Sequence, residues 1–266
     1  MKNIIYLCLI TLIFISCKEE KKATEPKTET IKIEKNSALK YPKNLLDIFD
    51  AHGGIENWQK MKSLVFTMET KNGDEVIATN LKSREALLTN KNSTIGFDGS
   101  KVWLENKSKE KYKGYNPIYG YNLMFYFYAM PFILADDGIN YKDAEPLVFE
   151  GKTYPGIEIT YNSGVGETPE DRYVLYYNAT TFNMEWLGYT VNFVEGIDKK
   201  ELHFRRYKDW QNVNGLILPK SIIGYTFKND KPIKPKETNV FKDVKLSEKA
   251  FDLKMFKKTE NGNYLN

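Results

Sequence analysis

The sequence predicts an α+β domain that is mainly β: a curved antiparallel sheet with short helices, one of them apolar and packed on the concave face. Three observations predict it. From Leu64 onward, apolar residues recur at every second position in short runs. Turn-forming clusters such as Asp98-Gly99 and Asn214-Gly215 separate those runs at close spacing. One uncharged stretch, residues 121–135, breaks the alternation.

The domain opens with a helix. Leu45, Leu46, Ile48 and Phe49 recur at helical spacing, and His52-Gly53-Gly54 stops the run, since Gly is the usual residue past a helix end. A second short helix over 55–61 turns Trp58 and Met61 inward. Strands follow at 64–70, 75–81 and 84–89, the first two joined by Asn72-Gly73-Asp74. Runs at 94–97 and 101–104 flank Asp98-Gly99, the strongest hairpin signal in the chain. Later strands are expected at 157–161, 172–177, 184–193, 201–210, 216–227 and 239–246, with a closing helical turn over 251–256. Many short strands with close turns imply an antiparallel sheet, curved or closed.

Residues 121–135 are too few to span a membrane, which takes roughly 20. As a strand they would be unusually long, and Pro131 would delete a ladder hydrogen bond. A helix from about Asn122, kinked or restarted at Pro131, fits better. It is apolar all round and must be buried on more than one side, which in a curved sheet means the concave face. Phe125, Tyr128, Met130 and Phe132 are therefore the expected lining of a ligand cavity, with Trp103 and Trp186 as further candidate ligand-binding residues. Met and aromatic side chains adapt to flexible apolar ligands. The competing expectation is a helix that fills the space completely.

The chain starts Met1-Lys2-Asn3, followed by an apolar run over 4–15 that is too short to cross a bilayer. The run ends in Phe14-Ile15-Ser16-Cys17, which resembles the lipobox of bacterial lipoproteins. That resemblance implies cleavage before Cys17 and acylation of its sulfur and amino group, palmitate-type chains acting as a lipid anchor. An uncleaved short membrane helix is the alternative. The charged, aromatic-free residues up to Lys40 cannot bury enough apolar surface to order themselves, so they read as a tether. The expected organisation is signal peptide 1–16, acylated Cys17 and flexible tether 17–40, one β-rich domain 41–257, and a polar C-terminal tail 258–266. The Cys-Lys-Glu-Glu start also resembles the export signal of Bacteroidota-type lipoproteins, which implies the outer membrane, on its periplasmic side or at the cell surface. With Cys8 removed and Cys17 acylated, no thiol is left for a disulfide.

Further segments carry a resemblance. Gly96-Phe97-Asp98-Gly99-Ser100-Lys101-Val102-Trp103, Tyr176-Tyr177-Asn178-Ala179-Thr180-Thr181 and Asn214-Gly215-Leu216-Ile217-Leu218-Pro219 are similar to hairpins of the LolA/LppX-like lipoprotein-sorting fold. Ala51-His52-Gly53-Gly54 with Trp58, Ala129-Met130-Pro131-Phe132 with Ala135-Asp136, and Tyr154-Pro155-Gly156-Ile157 resemble an uncharacterised family of Bacteroidota lipoproteins, a domain of unknown function. The resemblance implies a half-open barrel whose concave face binds acyl chains.

Catalytic chemistry has little to work with. The two histidines, His52 and His203, lack any metal-ligand spacing; His52 reads as a helix cap and His203 as a strand-surface residue. Gly164-Val165-Gly166 is followed by Pro169 and reads as a loop, as do Glu167, Glu170 and Asp171. Asp136-Asp137-Gly138 with Asp143 lacks EF-hand spacing and reads as a turn. The net charge, +4 overall and +3 once Lys2 leaves with the signal, gives no footprint for nucleic acid. No cofactor is implied. The unusual feature is aromatic richness, 18 Tyr and 15 Phe, which serves either a core or a binding surface. The expected function is a non-catalytic envelope lipoprotein that binds or carries a hydrophobic ligand, a lipid or a lipoprotein acyl chain. A surface glycan-binding module using exposed aromatics, or a structural component of an envelope complex, are the alternatives. Aromatics pointing into a pocket would favour lipid, and a flat exposed row would favour sugar.

Overall fold

Among the described residues thirteen strands pair into one sheet, and every neighbouring pair is antiparallel. The structure is a computed structural model that describes residues 40–71, 73–164, 170–192 and 200–265. The expected signal peptide, Cys17 and nearly all of the tether lie outside these residues, as do Asn72, Gly166, Glu167 and Phe193. The first five strands are β1 (Ser63–Thr70), β2 (Gly73–Asn80), β3 (Ala86–Thr89), β4 (Ser93–Phe97) and β5 (Val102–Asn106). Then come β6 (Ile139–Phe149), β7 (Lys152–Tyr161), β8 (Tyr173–Tyr177), β9 (Met184–Tyr189), β10 (His203–Val213), β11 (Leu216–Lys228), β12 (Lys231–Ser247) and β13 (Asn263–Tyr264).

Across the sheet the order is β13-β5-β4-β3-β2-β1-β12-β11-β10-β9-β8-β7-β6. Two meanders thus meet at β1 and β12, where Ser63 faces Ser247 and Leu64 faces Leu246. The outer strands β13 and β6 do not pair with each other, so the sheet is curved but open. The polar residues 258–266 contribute β13 to β5, with Tyr264 opposite Trp103.

Besides β13, which forms where a polar tail is expected, β6, β7 and β12 differ from expectation. β6 carries Pro146 and mixed polarity, which hides it from a search for alternation. As an outer strand with a bulge between Ala144 and Leu147 it tolerates both. β7 and β12 begin at Lys152 and Lys231, well before the expected 157 and 239, because their first residues extend exposed hairpins that alternation does not mark.

The helices are α1 (Lys43–Ala51), α2 (Ile55–Lys60), α3 (Pro117–Gly120) and α4 (Leu123–Tyr128), followed by a 3-10 turn, Phe132–Ala135. The expected helix over 122–135 is therefore two pieces. Pro131 has no N–H to continue α4, and the Met130–Pro131 peptide is cis. Both pieces are buried on the concave face. Phe125, Phe127 and Tyr128 of α4 and Phe132, Ile133 and Leu134 of the turn join one core with Leu45, Ile48 and Phe49 of α1 and with Leu64, Phe66, Ile77, Leu175, Ile222 and Phe241 of the strands. Full burial of each such side chain contributes about 1.5–3 kcal/mol.

The end of α1 is fastened directly to the sheet. A Cβ on Gly53 would lie 2.1 Å from the Gly215 carbonyl oxygen, and φ is +99° there, so only glycine lets helix and β10–β11 turn approach. His52 stands at the helix end as expected, but its ring reaches past the helix. Nδ1 lies 3.1 Å from the Ile217 carbonyl and Nε2 accepts the Met184 amide at 3.0 Å.

A second, smaller core lies on the other face, where Trp186, Phe204, Tyr176, Tyr225, Leu147 and Tyr154 pack together. The β6–β7 hairpin closes over it. Phe149 meets Trp186 at 4.8 Å and Tyr225 at 5.7 Å, and Glu150 pairs with Arg206 at 3.6 Å.

Candidate functional site

The turn between β2 and β3 is shaped by its own polar groups. Asn80 Oδ1 accepts the Lys82 amide at 3.1 Å, and the Asn80 carbonyl accepts the Arg84 amide at 2.9 Å. Arg84 takes φ +67°, a left-handed conformation uncommon outside glycine. The turn presents Leu81, Lys82 and Arg84 to α2 and to the 3-10 turn. From the other side come Ile55, Trp58 and Gln59 of α2, and Phe132, Ala135 and Asp136. These nine residues enclose a cavity of about 170 Å³.

Its walls are of two kinds. Trp58 and Phe132 stack in parallel with centroids 5.0 Å apart, and Phe49 supports Phe132 from behind at 6.4 Å. Ile55, Leu81 and Ala135 complete the apolar part. The polar part is an ion pair and an ammonium. Arg84 Nη2 donates to the Asp136 carboxylate, and the guanidinium lies 5.1 Å from the centre of the Phe125 ring. Arg84 Nη1 is shielded from solvent and has no acceptor. Lys82 Nζ donates to the Gln59 carbonyl at 2.6 Å. Burial pushes the Asp136 carboxyl above its usual range, against the lowering effect of Arg84.

Of the side chains expected to line a cavity, the structure brings Phe132 to this one. Phe125 sits beneath Arg84. Tyr128 stacks on Phe66 at 4.2 Å and meets Phe241 at 4.8 Å, and Met130 is buried in the same core. Trp103 is buried against Gly96, and its Nε1 donates to the Phe256 carbonyl at 2.9 Å. Trp186 belongs to the small core on the opposite face. Cys17 lies outside the described residues. Arg84, Lys82, Leu81, Gln59 and Ile55 were not expected at a site. Asp136 was read only as part of a turn.

Other groups are notable. Glu75, on β2, is buried and accepts from Asn90 Nδ2 at 3.1 Å and from the Tyr115 hydroxyl at 3.4 Å. Burial raises its carboxyl pKa, the two hydrogen bonds opposing. The two strongly exposed aromatic side chains among the described residues, Tyr115 and Tyr264, come from separate segments and form no row. No Ser, Thr, Cys or His lines the cavity. It combines an apolar wall with one guanidinium, one ammonium and one carboxyl, a set suited to recognition.

Comparison with known proteins follows the same outline. The model of a family of unknown function, DUF6503, matches residues 67–248. The chain belongs to that family. The DUF6503 match covers Leu81, Lys82, Arg84, Phe132, Ala135 and Asp136 of the cavity and stops short of α2. No curated protein matches the chain in sequence. Among solved structures, a LolA superfamily protein from Nitrosomonas europaea is 13% identical, with a TM-score of 0.40 over 79% of this chain and 96% of that one. A DUF1329 family protein from Desulfovibrio piger is 9% identical, with a TM-score of 0.38 over 77% and 92%. The Mycobacterium tuberculosis lipoprotein LppX is 7% identical, with a TM-score of 0.25 over 57% and 90%. At these scores the likenesses bear no argument about function.

Proposed function

We propose that this DUF6503 protein is a non-catalytic envelope lipoprotein, anchored through Cys17 at the outer membrane, that binds or carries a hydrophobic ligand such as a lipid or acyl chain against the concave side of its sheet. The observation that carries the reading is the cavity beside Phe132. Buried Ile55, Trp58, Leu81 and Phe132 and half-buried Ala135 line it beside the exposed Lys82. At about 170 Å³ it is a small, partly open cleft with charged and apolar side chains in its lining. It is smaller than the roughly 300–1,000 Å³ of drug-sized sites. It therefore suits one end of a chain more than a whole lipid. The anchor rests on the Ser16-Cys17 junction. A glycan platform is less well supported, because the exposed tyrosines do not form a row.

The test is native mass spectrometry of the purified protein in the absence of detergent, with lipid extraction of the same sample. Acyl-bearing species that leave with unfolding are expected. If none is found, and the protein also leaves the emission of a fluorescent fatty-acid probe unchanged, the carrier reading is wrong.

A further inference from the structure

We propose that the cavity between α2, the β2–β3 turn and the Phe132–Ala135 turn selects ligands bearing a terminal anion, a carboxylate or phosphate, on an apolar chain, and that Arg84 binds the anion. This rests on the ligand-binding reading above and adds a head group to it.

The guanidinium is under-used. It carries five N–H donors in a planar fork, and the Asp136 carboxylate engages it through Nη2. Nη1 is out of solvent without an acceptor. A buried donor in that state is costly and leaves the guanidinium short of hydrogen bonds, and an anion entering from the cavity would meet it at Nη2, in place of Asp136. Arginine's fork suits both carboxylate and phosphate oxygens, so a second anion has a ready-made partner.

The charge balance points the same way. Lys82 and Arg84 line the cavity against the single carboxylate of Asp136, leaving one positive charge uncompensated. The ammonium of Lys82 is held by a neutral carbonyl, that of Gln59. Asp136 is the more exposed partner of the ion pair, with 41% of its side chain accessible against 23% for Arg84. It can turn toward water when another anion arrives, while Arg84 is held by its turn and by Phe125.

The apolar wall lies beside this charge. Trp58 and Phe132 stack behind it with Ile55 and Leu81 beside them, all four buried, so the chain of the ligand meets their edges at the cavity wall. The volume fits a head group and the first few carbons.

The experiment compares decanoate, decyl phosphate and 1-decanol on the purified protein by isothermal titration calorimetry at low salt. At least one of the two anions should bind tenfold or more tightly than the alcohol, and whichever binds tighter identifies the head group. Arg84→Gln should remove that preference. Asp136→Asn, which removes the competing carboxylate, should tighten binding of the preferred anion three- to tenfold, and this arm decides the matter if Arg84→Gln does not fold. Equal affinity for acid, phosphate and alcohol, or anion binding indifferent to Asp136→Asn, overturns the inference while leaving the hydrophobic-ligand reading in place. Failure of all three probes to bind overturns both.

Discussion

The imidazole of His52 accepts the backbone amide of Met184 through Nε2, at 3.0 Å and across 132 residues of sequence. An amide can only donate, so Nε2 is unprotonated and Nδ1 carries the proton that goes to the Ile217 carbonyl. One neutral ring thus joins the end of α1 to β9 and β11.

Burial lowers the His52 pKa to about 4, against the opposing hydrogen bond to Ile217. The folded pKa lies below the unfolded value near 6.5, so the contribution is full above pH 6.5 and is lost as pH falls toward 4. The loss is of order 3 kcal/mol. His203, half-buried and lowered chiefly by desolvation, acts in the same direction. Urea melts between pH 7.5 and 4 should therefore show a stability that falls with acid. His52→Gln should flatten that slope and cost about 1–3 kcal/mol at pH 7.5, because the shape of the ring, which serves the Ile217 carbonyl and the Met184 amide together, is lost. An unchanged slope in His52→Gln would refute the assignment.

Glu75 gives the opposite sign. Its folded pKa is raised, so its stabilising effect is present at acid pH and fades as pH rises through the folded value. Glu75→Gln keeps the shape without the charge: its Oε1 can accept from Asn90 Nδ2, while its Nε2 must donate to the Tyr115 oxygen. The variant should melt higher than the parent at pH 8, by about 2–4 °C for each kcal/mol regained, and show a smaller difference at pH 4. Equal differences at both pH values would show that the charge is not the cause.

Gly96 and Trp103 face each other across β4 and β5. A methyl group at position 96 would lie 2.2 Å from Trp103 Cε2, and the indole is fixed by its bond to Phe256. Gly96→Ala should cost about 1–3 kcal/mol, as overpacking does. Trp103→Leu alone should also destabilise. The double variant should be more stable than the sum of the two losses, because the smaller side chain relieves the clash. Additive losses would mean that the two residues do not couple.

Arg206 clasps the β6–β7 hairpin to the outer face. Its guanidinium lies 4.9 Å from the Trp186 ring centre and 5.6 Å from that of Phe149, and Nη1 donates to the Tyr225 hydroxyl at 3.4 Å. Arg206→Lys keeps the charge and loses the planar stacking, so it should cost about 0.5–2 kcal/mol. Hydrogen exchange should show the effect first at Leu147–Tyr154. Loss of protection spread evenly over the sheet would argue against a local clasp.

What could be read from the sequence follows from how local each signal is. The hairpin at Asp98-Gly99, the stop after α1 and the burial of residues 121–135 are set by neighbouring residues, and each was legible. Trp58 facing inward was legible for the same reason. Arg84 was not: its role depends on a left-handed backbone and on Asp136, 52 residues away. His52 was legible as a helix terminus, yet the partners that fix its charge lie on two distant strands. β6 escaped because an outer strand need not alternate.

The meeting of β1 and β12 has a consequence for how the molecule is made. Ser63 Oγ donates to the Lys249 carbonyl across 186 residues, so the middle of the sheet joins the two ends of the domain. Sequence-distant pairing of this kind is slow to form. A chain that emerges N-terminus first can complete β1 to β5 by local pairing, while β1 keeps a bare row of amides and carbonyls on its other side. Such an edge invites pairing with another chain. It stays bare until nearly all of the domain has emerged, and that interval is when this protein is most exposed to aggregation.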